Sequence, residues 1–466
     1  MKRLLCFALL LVSAAAVAQN GGISPDMLSR ISGGWQGTAA DKALRNAVGQ
    51  TALNTLAVNA EASAMIDTHF SDRVETYGIT DQKQSGRCWL FTGLNVLRSA
   101  AAVKWDLGDF RFSQNYCFFW DQLEKANLFL QAIIDTRTLP LDSREVDWLL
   151  SNPIGDGGTF TGVANLVTKY GLVPADVMPE TLSANSTAQM SGHLKTLLRQ
   201  DALKLRAMAD AAGVEGLKGA KAKKAEAALM ARLQEEKTVM LTDVYHVLAL
   251  CLGVPPSSFE WKGKTVTPVE FYKELLGFDL EGGYVMLMND PSREYGKVYE
   301  IQYDRHMYDG QNWVYLNLPV DRIKEMAVAS IKENVAMYFS CDVGKFLDRK
   351  RGVADLRNFD YDSLLGVSFT MDKKERILTH ASGSSHAMTL IAVDLVEDKP
   401  VKWMVENSWG ASSGYQGNII MTDEWFDNYM FRLVVEKRFV PADLVGLLDQ
   451  EPVLLPAWDP MFAPEE

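Results

Sequence analysis

The chain has 466 residues, of which 47% are hydrophobic and 23% charged. This composition is typical of a soluble globular protein with a large core, and it excludes a chain dominated by disorder. The formal net charge of −12 argues against a nucleic-acid partner, because proteins that bind phosphates present an excess of basic residues.

The first eighteen residues have the three parts of a secretory signal peptide in the expected order. Lys2 and Arg3 form a positive start, residues 4–12 an apolar run, and residues 16–18 (AVA) a cleavage site. The run is too short to cross a bilayer as a helix, although a buried N-terminal helix is an alternative. We expect residues 1–18 to be removed, which takes the charge from −12 to −14. The mature protein is then exported, to the periplasm or outside the cell, and is not attached to a membrane.

After the signal peptide come three segments in which runs typical of strands are not evident. Residues 19–75 are polar and mixed, without visible chemistry, and are predicted to form an N-terminal arm. Residues 76–189 are predicted to form a helical lobe, in which one helix runs from Cys88 to about Val103 with apolar residues at helical spacing. Residues 190–283 are predicted to be a helical insertion, because their middle is rich in Ala, Lys and Glu.

Short apolar runs separated by turn signals begin at Tyr284. The runs that predict strands are 284–288, 313–318, 335–340, 387–396 and 402–408. Residues 284–445 are therefore predicted to form a strand-rich lobe, and residues 446–466 a C-terminal arm. Together the segments predict an α+β protein of two lobes.

The cysteines that remain after cleavage are widely spaced and include no C-x-x-C pair. This spacing excludes a zinc site and a disulfide scaffold, and we expect neither a metal nor a cofactor. Export would permit Cys117 to pair with Cys251 or Cys341. Buried free thiols are the favoured interpretation, because each of the three lies in apolar sequence.

Cys88, in the sequence QKQSGRCW, is the candidate nucleophile. A thiol needs its thiolate stabilised, and the first turn of a helix favours negative charge. Gln82 lies six residues earlier, on a loop that can fold back, so its amide could donate to an oxyanion together with the Cys88 backbone N–H. The alternative is a buried thiol at the start of a core helix. Gln82, the Ser-Gly pair and the Trp that follows Cys88 favour the nucleophile.

Six histidines are candidates for the base. Two lie in the helical insertion, while His69 and His306 lie in polar loops where nothing is expected to orient them. His380 and His386 flank a turn rich in Gly and Ser. His386 begins an apolar strand that would hold its ring in place, so it is the predicted base, and His380 is the second candidate.

The base needs a group that orients its ring. Asn407, in the sequence VENSWG, ends the next predicted strand, and the ends of adjacent strands meet. A neutral amide suits a thiolate–imidazolium pair, and Trp409 could cover this hydrogen bond and exclude water. The alternative is an Asn in an ordinary turn after a strand.

These motifs resemble those of the bleomycin hydrolase and aminopeptidase C family of papain-like cysteine peptidases. The resemblance covers nearly all of residues 70–466 and implies a papain-like two-lobed fold in which Cys88, His386, Asn407 and Gln82 occupy the catalytic positions. The motifs are QKQSGRCWLF at 82–91, FSQNYCFFW at 112–120, NPIGDGG at 152–158, FSCDVGK at 339–345, SHAMT at 385–389, VENSWG at 405–410, TDEWF at 422–426 and PAWDPM at 456–461.

The resemblance also implies how peptides are bound. Gly157 and Gly158 match glycines whose exposed backbone pairs with an extended substrate, where a side chain would prevent close approach. The family forms a hexameric barrel with its active sites facing the interior. Its C-terminal arm lies in the cleft, and the terminal carboxylate, here that of Glu466, holds the free amino group of the substrate.

The expected function is therefore that of a cysteine aminopeptidase that acts through a thioacyl-enzyme intermediate. Two alternatives remain: an endopeptidase, if the arm is trimmed or displaced, and an inactive barrel-forming protein that binds peptides. The intact set of four catalytic positions argues against the inactive protein.

Overall fold

The computed structural model describes residues 21–35, 37–62, 66–214, 216–277 and 279–461. Two predictions lie outside those residues, namely the signal peptide of residues 1–18 and the terminal carboxylate of Glu466. None of the described helices is both long and apolar enough to cross a membrane.

Helices occur along the whole described chain. The α-helices are α1 (Pro25–Gly33), α2 (Ala39–Val48), α3 (Leu53–Leu56), α4 (Cys88–Trp105), α5 (Gln114–Asp135), α6 (Arg144–Ser151), α7 (Phe160–Tyr170), α8 (Leu182–Asn185), α9 (Ala188–Ala211), α10 (Gly219–Leu252), α11 (Pro268–Leu275), α12 (Val320–Lys332), α13 (Tyr361–Leu365), α14 (Lys373–Leu378), α15 (Asp423–Tyr429) and α16 (Ala442–Val445). Short 3-10 helices lie at Leu356–Asn358, Lys437–Phe439 and Gly446–Asp449.

Strands concentrate in the second half of the chain. They are β1 (Asp72–Arg73), β2 (Phe259–Trp261), β3 (Lys264–Val266), β4 (Tyr284–Met288), β5 (Val298–Ile301), β6 (Val314–Asn317), β7 (Met337–Cys341), β8 (Leu347–Asp348), β9 (Val353–Ala354), β10 (His386–Val396), β11 (Lys399–Glu406), β12 (Asn418–Thr422), β13 (Met430–Glu436) and β14 (Val453–Leu455).

In the described residues, all strands except the β2–β3 hairpin join one twelve-stranded sheet. Its order is β14-β5-β6-β4-β13-β7-β10-β11-β12-β9-β8, and β1 also pairs with β10. The sheet extends beyond the strand-rich segment 284–445, since β1 comes from the N-terminal segment and β14 from the C-terminal arm. Within residues 284–445, sequence patterning did not predict β5, β8, β9, β12 or β13, because strand formation depends on partner strands that are distant in the chain.

The hairpin of β10 and β11 brings the predicted base and its orienting residue to one end of the sheet. Glu397 and Asp398 form its two-residue turn, both with positive φ, 49° and 61°, the conformation that matches the twist of paired strands. Thr389 pairs with Glu406 across the hairpin. The residue that begins β10 and the residue that follows β11 therefore lie at the same end of the sheet.

Helix α4 lies between the helical lobe and the sheet. Leu90, Leu94, Leu97 and Ala101 are buried on it, and it packs against both α7 and β10. At Gly93 a Cβ atom would lie only 2.6 Å from a methyl carbon of Val163, so glycine permits the close approach of α4 and α7. The core on both sides holds the start of α4 in place.

The predicted helical insertion consists largely of α9, α10 and α11. Helix α10 buries a single face, on which Leu229, Leu233, Met240, Val244 and Leu248 recur at helical spacing. This face packs against α5 and α9. The insertion therefore supports α5 from the outside of the helical lobe.

The C-terminal arm returns to the end of the sheet at which His386 and Asn407 lie. After β14, Asp459 forms an ion pair with Arg293, and Arg432 donates a hydrogen bond of 2.7 Å to the carbonyl of Met461, which is buried. A Cβ atom on Gly383 would lie 3.8 Å from the Pro460 carbonyl oxygen. The arm therefore passes beside the loop that leads into His386.

Candidate active site

Cys88 is the first residue of α4, and it is buried. This position favours a thiolate, because backbone N–H groups point outward from the N-terminus of a helix. The preceding Arg87 is also buried and pairs with Glu180 through hydrogen bonds of 3.1 and 2.8 Å, which anchors the start of the helix. The backbone N–H of Ala387 donates to the Cys88 Sγ over 3.4 Å. The sulfur therefore lies beside the first residues of β10.

The His386 ring is oriented by Asn407. His386 Nε2 lies 2.8 Å from Asn407 Oδ1, and the same oxygen accepts the backbone N–H of Ser408 over 2.8 Å. A backbone N–H can only donate, so the Asn407 atom that faces it is the oxygen, and Nε2 must carry the hydrogen that it shares with that oxygen. This arrangement leaves Nδ1 as the ring nitrogen that can exchange a proton with a thiol.

His380, the second candidate for the base, is not part of this arrangement. It is exposed, with φ of 57°, and its backbone N–H bonds to the Ile377 carbonyl at the end of α14. No contact within the described chain joins it to Cys88 or Asn407. The geometry favours His386 as the base.

Trp409 lies beside the His386 ring. Its ring centroid lies 4.9 Å from that of His386, with an interplanar angle of 33°. The Arg349 guanidinium lies over the Trp409 ring, 4.7 Å from its centroid, where a cation is attracted to the aromatic face. The indole is thus placed to exclude water from the neighbouring His386–Asn407 hydrogen bond.

The side-chain amide of Gln82 is held by polar contacts on both of its atoms. Its Oε1 accepts from Ser408 Oγ over 2.6 Å, and its Nε2 donates to the Ser85 carbonyl over 2.7 Å. The backbone N–H of Gln82 donates to the Ser408 carbonyl over 2.8 Å. One of the two amide hydrogens of Nε2 has no acceptor among the described residues, which leaves it for an oxyanion.

A buried polar cluster beneath Asn407 joins the catalytic segments. Glu406 Oε1 accepts from Asn95 Nδ2 over 3.2 Å and from Arg98 Nη2 over 3.4 Å, and Asn95 Nδ2 also donates to Thr80 Oγ1 over 3.0 Å. Burial raises the pKa of Glu406 to about 7, although Arg98 opposes the shift. The cluster thus connects α4, the Gln82 loop and β11, which Asn407 follows directly.

The prediction that nothing orients His306 is wrong. Its ring is buried, hydrogen-bonded through Nδ1 to Asp121, and 4.6 Å from the Trp89 ring. Asp121 Oδ2 in turn lies 2.8 Å from Lys125 Nζ. The reason for the error is that Asp121 lies 185 residues away in the chain, so only the tertiary fold supplies the partner.

The predicted substrate-binding glycines lie next to this buried group. The resemblance implied an exposed backbone at Gly157 and Gly158, but both residues are buried in the single chain, because Gly158 packs against Trp89 and His306. The Gly157 carbonyl accepts from Lys125 Nζ over 2.6 Å. A Cβ atom on Gly158 would lie 2.1 Å from the His306 ring, so only glycine fits there. Gly157 also lines a cavity of about 280 Å³.

Sequence reasoning missed Ser408, Glu406, Asp121 and Lys125. Ser408 and Glu406 flank Asn407 directly. The sequence feature that could have identified them is a run of three polar residues at the end of an apolar strand. Asp121 and Lys125 lie four residues apart on α5, and opposite charges at that spacing on an apolar helix indicate a buried pair.

The remaining cysteines have other surroundings. None of the four described cysteines forms a disulfide. Cys117 and Cys341 are buried, whereas Cys251 is partly exposed on α10, contrary to the expectation of burial. Burial raises the pKa of Cys117 to about 12, so its thiol is unreactive. Within the described ranges, no group of three His, Cys, Asp or Glu side chains is placed to hold a metal ion.

Comparison with known proteins gives one consistent result. A sequence model of the Peptidase C1-like family matches residues 22–462. The chain is 38% identical over 405 residues to "Bleomycin hydrolase" of Homo sapiens, covering 83% of this chain and 86% of that protein. It is 35% identical over 442 residues to "Aminopeptidase C" of Lactobacillus delbrueckii subsp. lactis, covering 92% and 94%.

A solved structure gives the same result for the fold. The crystal structure of PepW from "lactobacillus rhamnosis" superposes with a TM-score of 0.87 at 35% identity, covering 95% of this chain and 99% of that one. The predicted papain-like α+β fold is thereby confirmed.

Proposed function

The chain belongs to the Peptidase C1-like family, as its resemblance to bleomycin hydrolase and aminopeptidase C led us to expect, and on that premise we propose that it is a cysteine aminopeptidase. Its substrates are peptides, from which it hydrolyses N-terminal residues. The observation that supports this proposal most directly is the arrangement of Cys88, His386 and Asn407, in which His386 Nε2 is engaged by Asn407 Oδ1 at 2.8 Å.

In the first half of the reaction, the Cys88 thiolate attacks the carbonyl carbon of the first peptide bond. A C–S bond forms, and the carbonyl oxygen becomes an oxyanion that accepts from Gln82 Nε2 and the Cys88 backbone N–H. His386 gives its Nδ1 proton to the leaving nitrogen as the C–N bond breaks. The products of this half are a thioacyl enzyme and the shortened peptide.

In the second half, water attacks the thioacyl carbon while His386 Nδ1 accepts its proton. The C–S bond breaks, the amino acid leaves, and the thiolate–imidazolium pair is restored. Asn407 supports both halves, because it holds the ring in one orientation while the charge on the ring changes.

Restriction to the N-terminus requires a group that binds the substrate ammonium. We assign this role to the terminal carboxylate of Glu466, because a charge-assisted contact with an ammonium is strong and specific. The course of the arm supports the assignment, since Met461 is buried and Pro460 lies beside Gly383, close to His386.

We further propose that the mature protein is exported and forms a homo-hexamer with its active sites facing an interior space. The N-terminal arm supports an assembly, because Met27, Leu28 and Ile31 on α1, together with Trp35, are exposed in the single chain. Exposed apolar side chains grouped on one helix are typical of a protein interface.

The first test is an assay of the purified protein with paired fluorogenic substrates. Aminoacyl amides with a free amino group are expected to be hydrolysed, and the N-acetylated amides to be poor substrates, because acetylation removes the positive charge that the tail carboxylate binds. Cys88→Ala, checked for folding by circular dichroism, should be inactive and serves as the control. Equal hydrolysis of both substrates would exclude the exopeptidase and favour an endopeptidase.

A further inference from the structure

A buried charged group lies directly behind the catalytic helix and has no role in the reaction proposed above. It consists of His306, Asp121 and Lys125, and we call it the rear cluster. Asp121 is fully buried, His306 is 3% exposed, and the Lys125 side chain is 12% exposed. Charged groups are rarely removed from water to this extent unless they are paired and hydrogen-bonded.

The charge states of the rear cluster follow from its contacts. Burial alone would raise the pKa of Asp121, but Lys125 and His306 outweigh it and hold that pKa below its ordinary value. Burial and the neighbouring Lys125 lower the pKa of His306. These shifts favour an ionised Asp121 and a neutral His306 ring, with the Asp121 carboxyl lying between His306 and Lys125.

Lys125 uses its ammonium to hold the backbone that precedes Gly158. Its Nζ donates to the Gly157 carbonyl over 2.6 Å and to the Gly155 carbonyl over 3.1 Å, and it lies 2.8 Å from Asp121 Oδ2. These three partners match the three donors of an ammonium. Gly155 is held a second time, by Gln122 Nε2 over 3.0 Å.

The residue next to the nucleophile completes this support. Trp89 Nε1 donates to the carbonyl of Asp156 over 2.7 Å, so the carbonyls of three successive residues, 155 to 157, are all held from the protein side. The centroids of the Trp89 and His306 rings lie 4.6 Å apart. Lys125 Nζ lies 5.3 Å from the centroid of the Trp89 ring. The rear cluster thus contacts both α4 and residues 155–158, which we call the glycine segment.

His306 sets the distance of the glycine segment from the cluster. Added Cβ atoms on Gly158 and Gly162 would lie 2.1 and 2.4 Å from its ring. The ring is therefore packed against the backbone of both glycines, and it cannot move toward them. Any displacement of the ring would instead open a gap beneath Gly158.

We propose that Lys125, held by Asp121, which His306 contacts in turn, is a positioning residue that fixes the Gly155–Gly158 backbone at the distance from Cys88 that a bound peptide requires. This inference rests on the proposed function and on the substrate-pairing role that the family resemblance implies for Gly157 and Gly158. Lys125 acts through the backbone and takes no part in proton transfer. Its loss should therefore weaken peptide binding while leaving the Cys88–His386–Asn407 chemistry in place.

The test compares Lys125→Met with Lys125→Arg and with a control, Lys237→Met. Methionine removes the charge and the donors but keeps the apolar stem, whereas arginine keeps a cation that can reach the carbonyls. Lys237 is also a partly buried lysine bonded to α5, through Gln131 Oε1 over 2.7 Å, but none of its contacts in the described part of the chain is with residues 155–158. Two rates are measured: hydrolysis of aminoacyl peptides, and alkylation of Cys88 by iodoacetamide, which needs no contact with that segment.

We expect Lys125→Met to lower kcat/KM for peptides by about 10- to 100-fold, mainly through KM, since small misplacements of substrate have effects of this size. Its alkylation rate should stay within about twofold of the wild type, Lys125→Arg should recover most of kcat/KM, and Lys237→Met should behave like the wild type. Unchanged peptide kinetics in Lys125→Met would overturn the inference, as would an equal loss of alkylation.

Two further measurements distinguish a failure of this inference from a failure of the variant to fold and from a failure of the proposed function. If Lys125→Met does not fold, Asp121→Asn replaces it, because this variant keeps the ammonium but removes the carboxylate that holds it. A rise in KM is expected there too, and unchanged kinetics would overturn the inference. Failure of the wild type to hydrolyse any aminoacyl peptide would instead refute the proposed function.

Discussion

The side-chain amide of Gln82 shows how single residues set the chemistry of this site. A glutamine amide can rotate and exchange its donor and acceptor ends, but here Ser408 Oγ donates to Oε1 over 2.6 Å and the Ser85 carbonyl accepts from Nε2 over 2.7 Å. With both ends assigned, the remaining N–H points in one direction only. Such a preorganised donor needs no reorganisation when the oxyanion forms.

Substitution of Gln82 and of Ser408 should distinguish the effect of losing the oxyanion donor from the effect of losing its orientation. Gln82→Ala removes the donor and is expected to lower kcat about 100-fold, or about 3 kcal/mol. Ser408→Ala keeps the donor but removes one hydrogen bond that orients it, so a loss of about 5- to 10-fold is expected. Both are measured with an aminoacyl amide. A loss in Ser408→Ala as large as that in Gln82→Ala would contradict a purely orienting role.

At the scale of elements, the active site is the meeting point of α4, the loop before it and the β10–β11 hairpin. Asn95 and Arg98 extend from α4 to Glu406 at the end of β11, and Thr80 joins them from the loop. Cys88 and Asn407 occupy the ends of the two elements that this cluster connects. Their relative position therefore depends on the buried carboxyl between them.

The raised pKa of Glu406 predicts a dependence of stability on pH. Because the folded-state pKa is about 7 against an ordinary value of 4.5, the folded protein binds more protons than the unfolded chain between those values, and stability from this group falls as pH rises through that range. Glu406→Gln removes the titration. The difference in the free energy of unfolding between the wild type and Glu406→Gln should therefore decrease from pH 5 to pH 8.

This dependence is measured by urea unfolding of the two proteins across that pH range. A difference between the two proteins that is constant from pH 5 to pH 8 would show that Glu406 does not titrate there.

At the scale of the whole molecule, the N-terminal and C-terminal segments differ in how far they are buried against the rest of the chain. Helices α1 to α3 contain no buried residues, whereas the C-terminal arm adds β14 to the sheet and then buries Met461 near the catalytic end. The arm is bound to the sheet and passes beside the catalytic loop. It is therefore well placed to limit how far a peptide extends past Cys88.

Removal of the last five residues should change the class of substrate. In a chain that ends at Met461, the contacts of Arg293 and Arg432 with the arm are kept, but the carboxylate proposed to bind the substrate ammonium is displaced. N-acetylated peptides are expected to become substrates, and the preference for free amino groups should fall. An unchanged preference would mean that another group binds the amine.

The residues near the chemistry were predictable because their signals are local in the sequence. Cys88 starts an apolar helix, His386 starts an apolar strand, and Asn407 follows the neighbouring strand, so the periodicity of each element indicated where its functional end lies. The meeting of His386 and Asn407 was also predictable, because consecutive strands usually pair, which brings the start of the first strand beside the end of the second.

The sequence by itself thus determined the nucleophile, base and orienting residue that we propose, together with the α+β class and the family. Only the tertiary structure decided that Asn407 engages Nε2, that Glu406 joins helix and strand, and that His306 supports Gly158. Each of these depends on a contact between residues far apart in the chain, such as Asp121 with His306 or Asn95 with Glu406. Buried polar groups must find partners wherever the fold places them, and no local pattern records which partner that will be.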